Sequence, residues 1–160
     1  MAQVIDFNQL NDYSIKVYHY LAKNYPELLD HGTIHPSDLG KNYLEITLES
    51  PNKEESSTLY LATEHDELTV GFSDFHCHFD SYSDLGFEGE LARAVQYFTK
   101  ILKEELFVVC AGGGASTLLT SIEIKQLESG QKLERFPYDC INYYVTSWSG
   151  THNRIFKNPN

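Results

Sequence analysis

Apolar residues at Leu10, Tyr13, Val17, Leu21, Tyr25 and Leu28 recur three or four positions apart, the spacing of one helical face. Asn11 or Asp12 can cap this helix, and Pro26 ends it. The stretch 31–41, with Gly32, Pro36 and Gly40, reads as a loop. The period then changes to two. Leu44, Ile46 and Leu48 alternate with Glu45, Thr47 and Glu49, the pattern of a strand with one buried and one solvated face. A polar connection over 51–57 leads to a second hairpin strand at 58–62, His65-Asp66-Glu67 makes the next turn, and a third strand starts at Leu68.

That third strand breaks phase. Leu68, Val70 and Phe72 are apolar at even positions and Phe75, Cys77 and Phe79 at odd ones, so an unbroken period-two strand cannot bury both sets on one face. A bulge or short turn at Ser73 and Asp74 brings both sets to the core and leaves Asp74, His76, His78 and Asp80 on the opposite face. Phe87, Leu91, Ala94, Val95, Phe98, Ile101 and Leu102 then form a helical stripe, with Ser83 or Asp84 as the cap. Leu106 to Ala111 is an apolar run of strand length, and Leu118, Ile122 and Ile124 predict the next strand. A turn over 128–131 follows, and Ile141, Tyr143 and Val145 predict a closing strand. The short spacings favour antiparallel hairpins, so the expected class is α+β: a mainly antiparallel β-sheet with two principal helices packed on one face.

A chain of 160 residues suits a single domain, 1–160. No stretch approaches the ~20 apolar residues that span a bilayer, and Met1 to Leu10 has neither a basic n-region nor an apolar h-region. The expectation is a cytoplasmic protein with no membrane partner. Cys77, Cys110 and Cys140 are odd in number and widely spaced, which predicts reduced, buried thiols.

Charge is distributed unevenly. Between Glu45 and Glu90 the chain carries twelve acidic residues and one basic residue, Lys53, so this window holds 1 − 12 = −11, the net charge of the whole chain. The rest is balanced, with 23 − 12 = 11 acids and 12 − 1 = 11 bases. Concentrated carboxylates repel a phosphate backbone and disfavour nucleic acid; the natural complement is a basic protein or a cation.

The window also holds the densest group of ligand-type side chains. His76, His78 and Asp80 share one side of an extended segment, with ~7 Å between successive same-face residues. Two imidazoles and a carboxylate at that spacing suit zinc or another divalent cation, with His65 or His152 completing the set. Such a site would make the protein a metal-dependent hydrolase with a metal-bound water as nucleophile, although no Glu is spaced to act as its base. The rival reading needs no cofactor and no catalytic residue. Asp74, His76, His78, Asp80, Glu64, Asp66 and Glu67 form a recognition surface for a basic partner, with Tyr144 and Trp148 as aromatic anchors. Cys77 is a poor nucleophile candidate, because its histidine neighbours point to the opposite face of a strand. Gly112-Gly113-Gly114 lacks the Lys-Ser/Thr ending of a phosphate loop and reads as a hairpin connection.

The stretch Leu68-Thr-Val-Gly-Phe-Ser-Asp-Phe-His-Cys-His-Phe-Asp80, the helix after it and Tyr144-Val-Thr-Ser-Trp-Ser-Gly-Thr-His-Asn-Arg154 resemble small cytoplasmic bacterial proteins grouped with the immunity proteins of polymorphic toxin systems. The resemblance spans roughly Tyr43 to Phe156. It implies an inhibitor that binds and neutralises a cognate toxin domain, often a nuclease, and it carries over no contact residues.

Overall fold

The computed structural model describes residues 6–38, 40–52, 58–79, 84–112 and 114–159. The helices are α1 (Asp12–Asn24), α2 (Gly86–Leu102) and α3 (Ser121–Glu128), with 3₁₀ turns at Phe7–Gln9, Pro26–His31 and Glu64–Asp66. The strands are β1 (Gly32–His35), β2 (Tyr43–Glu49), β3 (Thr58–Ala62), β4 (Leu68–Phe72), β5 (Phe75–Phe79), β6 (Phe107–Ala111), β7 (Ala115–Leu119), β8 (Asn142–Thr146) and β9 (Arg154–Lys157). They form two sheets, one in the order β1-β2-β3-β4-β5 and one in the order β7-β6-β8-β9. The fold is α+β. Two compact units interleave along the chain: Met1–Glu49, Thr58–Gly71 and His76–Phe98 make the first, and Ser50–Ser57, Phe72–Phe75 and Thr99–Asn160 the second.

In the first unit the alternation of β2 and β3 sorts side chains by face. Leu44, Ile46, Leu59 and Leu61 are fully buried, while Glu45, Thr47 and Tyr60 are half-exposed. Helix α1 is capped by Asn11, whose Oδ1 accepts the Ser14 amide at 2.6 Å, and it buries Val17 and Leu21. Helix α2 buries Leu91, Ala94, Val95 and Phe98 and meets α1 through an edge-on contact of Tyr13 with Phe87 at 5.7 Å. Tyr97 of α2 packs edge-on against Phe79 at 5.4 Å, and Arg93 lies over both rings at 5.9 and 5.7 Å respectively.

A buried polar knot fixes where β2 begins. Thr63 Oγ1 donates to the Leu44 carbonyl at 3.0 Å and accepts the Leu44 amide at 2.9 Å, so its one proton is committed. Ser14 Oγ, 2.6 Å away, therefore donates to Thr63. Both hydroxyl-bearing residues are buried, and the knot ties α1 to β2 and to the end of β3.

The phase break at Ser73 and Asp74 is a short turn rather than a bulge. It divides the expected third strand into β4 and β5, with Ser73 at φ 54°. Phe79 is buried and Phe75 and Cys77 half-buried, whereas His76 and His78 are exposed, as the parity argument requires. The stretch 31–41, read as a loop, contains β1, which adds to the edge of β2 with Ile34 opposite Leu44. Edge pairing overrides the weak local pattern left by Gly32, Pro36 and Gly40.

In the second unit, α3 covers one face of its sheet. Ile124 and Leu127 pack with Phe107, Val109, Leu119, Phe136, Tyr143 and Val145 in one buried cluster. The strand expected through Leu118, Ile122 and Ile124 is corrected here. Leu118 belongs to β7, and the two isoleucines lie on α3, one buried and one 69% exposed. A capping box starts that helix, in which Thr120 and Glu123 satisfy each other's backbone amides. Glycines 112 and 114 lie in the β6–β7 connection, a hairpin as expected, with Gly113 outside the described residues. β8 is not the closing strand, because β9 pairs beyond it. Cys77, Cys110 and Cys140 are unbridged and half-buried rather than buried.

Thr63→Val removes the hydroxyl at nearly constant shape and leaves the Ser14 hydroxyl without its acceptor. We expect a loss of about 1–3 kcal/mol in urea unfolding, with Thr63→Ser retaining most of the stability.

Candidate functional site: the open face of the five-stranded sheet

Helices cover the inner face of the first unit's sheet, and the outer face carries polar and aromatic side chains. Cross-strand pairing sets them in rows. Thr33, Glu45, Ala62 and Thr69 form one row; Thr47, Tyr60 and Gly71 form the next; His35 stands opposite Tyr43. His78 joins the same face, because its Nδ1 lies 3.0 Å from Thr69 Oγ1 and contacts Glu67 Oε1. The His76 and His78 rings sit edge to face at 5.3 Å.

The window's carboxylates are left largely without strong cations. Nine of the twelve are described; Glu54, Glu55 and Asp80 lie outside the described residues. Among the described residues only Glu90 meets a Lys or Arg, namely Arg93 at 3.8 Å, and Glu90 is buried. Glu45, Glu64 and Glu67 instead approach His35, His65 and His78. The negative potential is visible on Tyr13: burial pushes its phenol up to about 12, and Glu67, Asp66 and Glu90 add to the shift.

These acids are not all on one face. Glu45 and Glu49 lie on the outer face of the sheet, Glu64, Asp66 and Glu67 lie in or beside the turn before β4, and Glu88 and Glu90 ride on α2. The expected recognition set is divided in the same way. His76, His78, Glu64, Asp66 and Glu67 belong to the first unit, and Asp74, Tyr144 and Trp148 to the second. Asp80, the third proposed metal ligand, lies outside the described residues. Among the described residues no three His, Cys, Asp or Glu side chains gather in a group that could hold a metal ion.

In the second unit the turn residue Asp74 is held against the exposed face of the sheet. Its carbonyl accepts from Ser116 Oγ at 2.8 Å, and its carboxylate lies 3.9 Å from the Cys110 thiol. Burial raises the Cys110 pKa, and Asp74 raises it further, so this thiol is not activated. An open groove of about 940 Å³ runs along this face, lined in part by Asp74, Cys110, Tyr144, Arg154 and Ile155. Tyr144 and Ile155 are cross-strand partners, 43% and 64% exposed. Trp148, in contrast, is half-buried with its ring 5.7 Å from Phe72, and its carbonyl accepts from Ser50 Oγ at 2.6 Å.

The outer-face residues His35, Tyr43, Glu45 and Tyr60 were missed as site residues by sequence reasoning. Their parity carried the signal, since Tyr43 and Glu45 share one side of β2 and Tyr60 stands between two core leucines of β3. Reading β1 as loop concealed the surface they complete.

The fold and face define an α+β protein whose five-stranded sheet is helix-backed on one side and presents acids, histidines and tyrosines on the other. The chain matches no family model, no curated protein and no solved structure among known proteins.

The loop after β8 yields a pH prediction. Burial pushes Glu104 upward, but hydrogen bonds from Ser149 Oγ at 2.6 Å and its amide at 2.7 Å, with His152 nearby, outweigh that and hold its pKa below the usual value. A depressed carboxylate contributes stability that is fully present above its unfolded pKa and is lost as pH falls through the folded one. Urea midpoints measured from about pH 5 to pH 3 should fall, and Glu104→Gln should lower the midpoint at neutral pH while flattening that fall.

Proposed function

We propose that this chain is an immunity-type inhibitor that binds a basic protein partner, such as a toxin domain, using the open face of the five-stranded sheet and the acidic turn beside it. One observation carries the reading: eight of the nine described carboxylates between Glu45 and Glu90 meet no Lys or Arg among the described residues. Unneutralised carboxylates raise the encounter rate with a cationic surface and penalise acidic competitors. Tyr43 and Tyr60 add the rigid, amphipathic contact area that interfaces favour. An inhibitor of this kind works by occlusion and needs no catalytic group.

The test takes the product of the gene immediately upstream, which this reading expects to end in a basic toxin domain. We expect an association rate that drops about tenfold or more from low to physiological salt. The combined substitution Glu45→Gln, Glu49→Gln and Glu67→Gln should slow association at low salt and flatten the salt dependence. Failure of the purified domains to associate, or a rate indifferent to salt, would remove the proposal.

A divalent-metal-dependent hydrolase using His76, His78 and Asp80 is the second reading. It draws on the contact of Glu67 with Nδ1 of His78, the arrangement in which a carboxylate orients a ligating imidazole. Stoichiometric zinc by elemental analysis, lost in both His76→Ala and His78→Ala, would replace the inhibitor reading with this one.

A further inference from the structure

We infer that Glu45, with Tyr43 and Tyr60 beside it, seats the guanidinium of an arginine side chain presented by the basic partner, an inference that rests on the protein-binding reading of this face. Glu45 stands on the central row of the outer face, with Thr33 opposite it on β1 and Ala62 opposite it on β3. Ala62 offers the carboxylate only a methyl group and no polar partner, and is itself buried. Tyr43 precedes Glu45 by two residues on the same side of β2, and Tyr60 is its diagonal neighbour through the Thr47–Tyr60 pair. The Tyr60 ring is laid across the sheet over Gly71, where a Cβ would come within 2.3 Å of it. Tyr43 is braced from the other side by His35, stacked at 5.6 Å and 25°. Each tyrosine is thus held in place on the outer face, Tyr43 next to the carboxylate on β2 with its ring toward β1, and Tyr60 across β3 with its ring toward β4.

The carboxylate has capacity to spare. Oε1 accepts from Thr47 Oγ1 at 2.8 Å and lies 3.8 Å from His35 Nε2, and Oε2 has no partner among the described residues. Its field reaches both rings: burial raises the phenol pKa of Tyr43 and of Tyr60, and Glu45 raises each further, with Glu64 adding to Tyr43. A planar guanidinium satisfies such a seat in two ways at once, donating two parallel hydrogen bonds to a carboxylate and stacking on a tyrosine face. A lysine ammonium offers a point charge without the plane, so arginine is the side chain this geometry selects.

End-blocked triarginine, trilysine and tricitrulline peptides, titrated into the folded chain and followed by two-dimensional NMR, test the assignment. Triarginine should perturb Tyr43, Glu45 and Tyr60 together and saturably, trilysine more weakly and tricitrulline not at all. Glu45→Gln should weaken triarginine binding about tenfold, and Tyr43→Leu should weaken it while leaving the remaining spectrum folded. Glu88→Gln, on α2, should leave it within about twofold, as expected for a distant exposed charge. Equal binding of trilysine, unchanged binding by the Glu45→Gln variant, or perturbation spread evenly over all acidic residues would each overturn the arginine seat. Those results alone would leave salt-dependent association with the toxin domain standing; loss of that association would remove the inhibitor reading itself, whatever the peptides do.

Discussion

Successive side chains of a strand point to opposite faces, and in the five-stranded sheet that single constraint decides both what is buried and what the outer face presents. Leu44, Ile46, Leu59, Leu61, Leu68 and Val70 occupy one face and are buried; Tyr43, Glu45, Thr47, Tyr60 and Thr69 occupy the other. A slip of one residue would exchange the two sets, at a cost of about 1.5–3 kcal/mol for each large apolar side chain exposed. The knot of Ser14, Thr63 and Leu44 guards against that slip, because its hydrogen bonds fit only one alignment of β2 with the end of β3. The polar outer face is therefore a consequence of the core as much as a feature in its own right.

The turn at Ser73 and Asp74 extends the same logic. By resetting the phase it keeps Phe79 inward and turns His76 and His78 outward, and it holds Asp74 against the second sheet through Ser116. Electrostatics follows from this placement. Carboxylates beside imidazoles are neutralised only while the imidazole is protonated, whereas those beside Lys or Arg are neutralised throughout the physiological range. Glu45, Glu64 and Glu67 belong to the first kind. Glu90, the one described window acid beside an arginine, sits in the interior.

Much of this was legible in the residues. The stripe from Phe87 to Leu102 is α2, the spacing from Tyr13 to Leu21 is α1 with Asn11 as its cap, and the parity break fell where the chain turns. Three elements, α3, β1 and β9, depart from that pattern for physical reasons. Ile122 and Ile124 are two residues apart and match a strand, but the Thr120–Glu123 capping box marks a helix start, and a helix of 8 residues is too short for its apolar period to dominate. β1 and β9 have four residues each, too few for any period to register, and they exist because β2 and β8 supply partners.

The sequence by itself determined which positions are apolar and where the apolar phase changes, together with the clustering of acids between Glu45 and Glu90, because these depend on residue order alone. Tertiary structure decided how those acids divide between the outer face, the turn before β4 and helix α2, and which of them stand beside histidine rather than arginine. It also decided that Tyr60 stands diagonal to Glu45, 15 positions away along the chain, since strand pairing opposes Thr47 to Tyr60 and no local pattern encodes that register.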